Sequence, residues 1–166
     1  CFRNGENLAE GLLISNFVTG CTMLVDAAAA KAAVPFCPYM IHDHYIALYC
    51  AAIGKIVSVE RPLIRYRMHG NNQSQILAGV LDKASYASVR LEYPSLKFQW
   101  LRENFPFRSE FESAIHQRQE WMEARRRNWV RKGNWSAVWR GRKFGLQTAL
   151  FELAAPWLPE RLFMWI

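Results

Sequence analysis

Over the first 75 residues, hydrophobic and polar positions switch over short distances. Residues 17–25 form an apolar, β-like run, and the alanine-rich stretch 26–33 predicts a short helix. Asp26 suits its N-cap, because a carboxylate there accepts bonds from the unpaired N–H groups of the first turn. Tyr45, Ile46, Leu48, Tyr49, Ala52 and Ile53 predict an apolar helix over 42–53, with Gly54 as its stop. Residues 55–59 and 63–67 then read as two strands around a turn at Arg61-Pro62.

Beyond Gln75 the periods become long and helical. Leu77, Val80, Leu81 and Ala84 predict a helix over 76–91, which Tyr93-Pro94 interrupts or ends. Further helices are predicted over 111–131 and 135–154, with Gly133, Gly141, Gly145 and Pro156 as punctuation. The expected fold class is therefore α/β for residues 1–75, followed by a helical extension over 76–166. There is no internal repeat and no low-complexity linker.

The 166 residues leave room for one domain, or one small domain and an appendage, and a hydrophobic share of 51% argues against wholesale disorder. The chain starts at Cys1 with no signal-like segment behind it, which predicts a piece of something longer. Cys1, Cys21, Cys37 and Cys50 show no C-x-x-C spacing and sit in or beside apolar runs. Reduced, buried thiols in a cytosolic setting are expected.

Charge changes the picture of the second half. The net charge is +7, and all seven tryptophans lie from Trp100 onward among Arg125, Arg126, Arg127, Arg131, Lys132, Arg140, Arg142 and Lys143. Such a segment suits nucleic acid, an anionic membrane surface or another protein. No nucleic-acid-binding motif or Gly-rich phosphate loop is present. No stretch reaches the roughly eighteen uninterrupted apolar residues of a spanning helix. Residues 144–158 come nearest but contain Gln147, Glu152 and Pro156, so an interfacial helix is the better reading.

Candidate chemistry gathers between His42 and Asn72. Asp43 falls in the first turn of its helix, where the dipole favours a negative charge by about 0.3–1 kcal/mol and keeps a proton acceptor ionised. Simple capping explains the same placement. His42 and His44, at i and i+2, point to different sides of a helix and make a poor chelate. His69 precedes the turn-prone Gly70-Asn71-Asn72, and an accessible imidazole there can ligate a metal or do nothing. Arg67 offers either a phosphate clamp or a solvated edge charge, and Tyr66 alternates with it across the strand. Gly20, inside Gly20-Cys21-Thr22, admits close approach by a ligand or another backbone, or marks a bulge. Arg125 to Arg127 are consecutive and fan around their helix.

Taken in order, four pieces of residues 16–72 carry a resemblance. They are Gly20-Cys21-Thr22, Val34-Pro35-Phe36, His42-Asp43 opening a helix that ends at Gly54, and Pro62-Leu63 leading into Tyr66-Arg67-x-His69. The segment resembles the C-terminal half of family-two glycosyltransferases of the GT-A fold, most of all the rhamnosyltransferase-like members of surface polysaccharide synthesis. The resemblance implies a Rossmann-like α/β domain and inverting transfer from a nucleotide-sugar donor to a saccharide or lipid-linked acceptor. Asp43 would be the catalytic base, and Gly20, Cys21, Thr22 and His42 would line the acceptor. Tyr66 and Arg67 would support the donor diphosphate, and His69 would help bind Mg²⁺ or Mn²⁺. Together with the basic, tryptophan-rich tail, it leads to the expectation of a cytoplasmic protein at the inner face of the membrane, in peripheral contact through residues 97–166.

Two departures stand beside it. No Asp-x-Asp metal motif occurs in the chain, so the nucleotide-binding half of such an enzyme is missing and these residues alone are expected to be inactive. Asn71-Asn72-Gln73-Ser74 also stands where relatives often carry a glycine. The competing expectation is a non-catalytic basic helical binding module, or a remnant, docking on a membrane or a partner.

Overall fold

The computed structural model describes residue 5 and residues 8–65, 67, 80–133 and 135–163. Among them every regular element is helical, and the single β-bridge joins Gly5 to Ile56. The helices are α1 (Ala9–Ile14), α2 (Ala27–Ala32), α3 (His42–Ile53), α4 (Lys83–Ala87), α5 (Tyr93–Asn104), α6 (Glu112–Trp129), α7 (Trp135–Arg140), α8 (Leu146–Ala154) and α9 (Glu160–Phe163).

This overturns the α/β, Rossmann-like expectation for the first 75 residues. Residues 17–25 are irregular apart from a 3₁₀ turn at Gly20–Thr22. Residues 55–65 run without a ladder. A strand is stable only when a neighbour satisfies its N–H and C=O groups, and none of the described segments supplies one beyond the Gly5 bridge. The apolar residues meant for a sheet therefore face outward, with Leu24 100% and Val57 70% exposed.

The helical expectations fare better. Asp26 caps α2 by accepting from Ala28 and Ala29 N–H at 2.9 and 3.0 Å. Helix α3 spans His42–Ile53 and stops at Gly54. Helix α6 keeps its predicted course, while the 135–154 helix breaks into α7, a 3₁₀ turn at Gly141–Phe144, and α8. Tyr93-Pro94 does not interrupt anything. Helix α4 passes through a π turn at Ser88–Glu92 directly into α5, and the Arg90 carbonyl, to which Pro94 offers no N–H, accepts from Arg125 at 3.3 Å. The part of the 76–91 helix before Val80 lies outside the described residues.

The main core packs α1 on α3 and α5 on α6 around Leu12, Tyr45, Leu48, Phe98, Leu101 and Phe105. Burying each such side chain contributes about 1.5–3 kcal/mol. Tyr45 meets Trp100 edge-on at 5.5 Å between ring centroids and Phe105 at 6.2 Å. A second cluster gathers Tyr86, Leu91, Ala155 and Phe163, with Tyr86 stacked on Trp129 at 4.7 Å. The 3₁₀ turn that follows α7 closes on α6 at Gly141, where an added Cβ would lie 1.9 Å from the Trp121 ring. That close approach lets the Trp121 indole N–H donate to the Val138 carbonyl at 3.2 Å.

Candidate functional site

Asp43 sits in the first turn of α3, half-buried, yet it does not serve as the helix cap. Its hydrogen bonds cross to the loop that follows α1. The Gly20 N–H donates to Oδ2 at 2.9 Å and the Asn16 amide to Oδ1 at 3.2 Å. Asn16 is itself held in a local turn, accepting from the Val18 N–H at 2.9 Å. A carboxylate has about four acceptor positions. Two are used here, which leaves Asp43 able to take a further proton donor.

Glycine at 20 allows a close approach to Asp43. A Cβ there would lie 3.2 Å from both Cβ and Oδ2 of Asp43, tighter than ordinary contact. The Gly20–Thr22 turn closes through Thr22 N–H and hydroxyl bonds to the Thr19 carbonyl, at 2.9 and 2.8 Å. Cys21 and Thr22 are exposed beside it, and so is His42, one residue before Asp43.

The neighbouring histidine behaves differently. His44 is buried, and its Nε2–H donates to the Leu12 carbonyl near the end of α1. Burial pushes its pKa below 6.5, with the charge of Lys97 acting in the same direction. Lys97 reaches the same helix end and donates to the Leu13 carbonyl at 2.9 Å. Two carbonyls at the end of α1 are thereby satisfied by side chains from α3 and α5.

The other expected residues do not join this cluster. Tyr66 and His69 lie outside the described residues, and Arg67 is exposed on the stretch after α3. Among the described residues no three His, Cys, Asp or Glu side chains gather as a metal site. His69, to which the resemblance assigned the Mg²⁺ or Mn²⁺, is not among them. The thiols meet the expectation of burial only in part, and Cys1 lies outside the described residues. Cys37 is buried, Cys50 partly so, and Cys21 exposed, all three free.

Sequence reasoning missed the buried cations. Arg118 and Arg125 share the inward face of α6 with Ile115 and Met122, and Lys97 lies beside Phe98 in α5. The signal was present: positions 115, 118, 122 and 125 form one stripe at helical spacing, half of it arginine. Among the described residues no helix is long and apolar enough to cross a membrane. Comparison with family models, curated proteins and solved structures returns no match for this chain.

Proposed function

We propose that this chain supplies the acceptor-activating side of an inverting glycosyl transfer, with Asp43 as the general base. One observation carries the reading. The Gly20–Thr22 turn and Asp43, 23 positions apart between Gly20 and Asp43, meet through the 2.9 Å bond from the Gly20 N–H to the carboxylate. These are the two pieces to which the resemblance assigned the acceptor region and the base.

In this reading the acceptor hydroxyl donates to the free face of the Asp43 carboxylate, beside exposed His42, Cys21 and Thr22. Asp43 takes the hydroxyl proton as the oxygen attacks the anomeric carbon of a nucleotide-sugar, and the bond to the nucleoside diphosphate breaks. Gly20 and Asn16 hold the carboxylate through hydrogen bonds, so its orientation is preset before the acceptor arrives. Asp43 keeps its place on α3 through the packing of Tyr45 and Leu48 behind it.

The test is Asp43→Asn in the natural gene product, assayed for nucleoside diphosphate release from a panel of nucleotide-sugars with saccharide acceptors. General-base assistance is worth about 10²–10⁴-fold. The expected result is a loss of that order with the helical circular dichroism retained and at most a small fall in the thermal midpoint, from the one hydrogen bond an amide cannot accept. Unaltered transfer would remove Asp43 from the mechanism and favour the reading of a binding module.

We further propose that the C-terminal helices contact an anionic membrane surface, where a lipid-linked acceptor would lie. This is supported by Leu146 and Leu150, one turn apart on α8 and 53% and 52% exposed, directly after Arg142 and Lys143.

A further inference from the structure

A half-open cavity of about 650 Å³ lies among α5, α6 and α8, within the size range of small-molecule sites. Its walls are largely apolar, with Phe98, Trp121, Phe144 and Phe151 contributing rings. Its charged lining has one sign. Arg90, Lys97, Arg118 and Arg125 border it, and no Asp or Glu is among the described residues that do.

These cations are not equivalent. Arg125 is answered from behind by the buried Glu152 carboxylate. Lys97 and Arg118 are not: among the described residues neither forms an ion pair. Both are buried, and each has settled for weaker company. The Lys97 ammonium donates to the neutral Leu13 carbonyl at 2.9 Å and lies 4.5 Å from the Phe98 ring centre. The Arg118 guanidinium lies 3.8 Å over the Phe144 ring. Burial pulls Lys97 down to about 8, with the Cys37 thiol opposing the fall and the charge of Arg118 adding to it. Burial alone pulls Arg118 down to about 10.

Burying two like charges without a counter-charge is costly, and evolution ordinarily pairs them or removes them. An oxyanion between them would recover that cost, since guanidinium and phosphate match in geometry. The aromatic walls call for an apolar body on the same molecule. We propose that this cavity binds a single-chain lipid phosphate, its headgroup held by Lys97 and Arg118 and its hydrocarbon chain lying against Phe98, Phe144 and Phe151. This goes beyond the proposed transfer reaction and does not rest on Asp43.

Calorimetric titration of the full chain with dodecyl phosphate, below its micelle concentration, tests it. Saturable binding with one site is expected, at least tenfold tighter than inorganic phosphate and dodecyltrimethylammonium. Arg118→Met should weaken dodecyl phosphate at least tenfold, whereas Arg126→Met, which removes an exposed charge elsewhere, should not. Gln147, exposed at the cavity, provides a variant that leaves the core alone. Gln147→Glu should weaken binding and Gln147→Lys strengthen it, even if the Arg118 variant fails to fold. Equal affinity for the phosphate and ammonium amphiphiles, no saturable binding, or indifference to the charge at 147 would overturn the proposal. Asp43→Asn should leave dodecyl phosphate binding unchanged, so the two readings fail separately.

Discussion

Arg125 of α6 and Glu152 of α8 meet as a two-pronged ion pair inside the protein. The Arg125 Nε–H donates to Oε2 at 2.6 Å and its terminal nitrogen to Oε1. Glu152 is 0% exposed, and its Oε1 also accepts from the Tyr86 hydroxyl at 2.7 Å. The backbone carbonyl of Glu152 accepts from Asn128 at 2.7 Å, which ties the two helices a second time.

Removing one partner of such a pair strands the other charge. Glu152→Ala should destabilise the fold by about 3–5 kcal/mol. Joint replacement as Arg125→Met and Glu152→Leu should cost clearly less, because no charge is left behind. Urea denaturation of the two variants checks this, and a double variant that loses as much as Glu152→Ala or more would contradict it.

The approach of the 3₁₀ turn after α7 to α6 gives a second expectation. Gly141→Ala puts a methyl group where the Trp121 ring stands, 1.9 Å from its nearest atom. The ring must move, losing its bond to Val138, so a cost of about 1–3 kcal/mol is expected from overpacking. Alanine normally favours a helix over glycine. A stabilised Gly141→Ala protein in the same denaturation assay would contradict the packing described.

Acid should loosen the junction of α1 and α3. His44 is neutral in the fold, its pKa below 6.5 chiefly through burial. Lys97 opposes its protonation, whereas the Leu12 carbonyl and Asp43 favour it. Above pH 6.5 both folded and unfolded chains carry the neutral ring, and the stability is complete. As pH falls below 6.5 the unfolded chain takes the proton first. Stability is then lost until the folded pKa is passed, by at most about 1.4 kcal/mol per pH unit. Denaturation midpoints between pH 7 and 5 should fall more steeply for the natural chain than for His44→Gln, and parallel curves would remove His44 as the cause.

On vesicles, the C-terminal helices should bind phosphatidylglycerol surfaces and release them as salt rises, since the attraction is screened. Leu150→Glu should weaken that binding without lowering the thermal midpoint, because Leu150 is half exposed already. Co-sedimentation checks both. Equal binding to neutral and anionic vesicles would count against the membrane reading.

The sequence was most readable where a signal is local. The Asp26 cap and the helix from His42 to Gly54 depend on neighbours a few residues away, and both formed as expected. Val57, Val59 and Leu63 carry strand preference, but a strand is completed by a partner, and preference alone cannot make one. Pro94 looked like a break because its missing N–H ordinarily leaves a carbonyl one turn back unpaired, and here Arg125, far along the chain, donates to the Arg90 carbonyl. At the site, the close approach that glycine allows at position 20 was visible as an oddity in an apolar run. Its partner, Asp43, could not be read from spacing, since 23 positions separate them. Lys97 and Arg118 went unnoticed because a cation on a helix is ordinarily assigned to solvent.

Helix α1 is only six residues long, yet three long-range bonds end on it or just past it. Leu12 accepts from His44, Leu13 accepts from Lys97, and Asn16 donates to Asp43. Ile14, in the middle of that run, borders the cationic cavity. The segment works as a spindle between the carboxylate and the cavity, beside the shared core that already joins α3 to α5. Sliding it by one residue would break all three bonds at once and disturb the carboxylate and the cavity wall in a single movement.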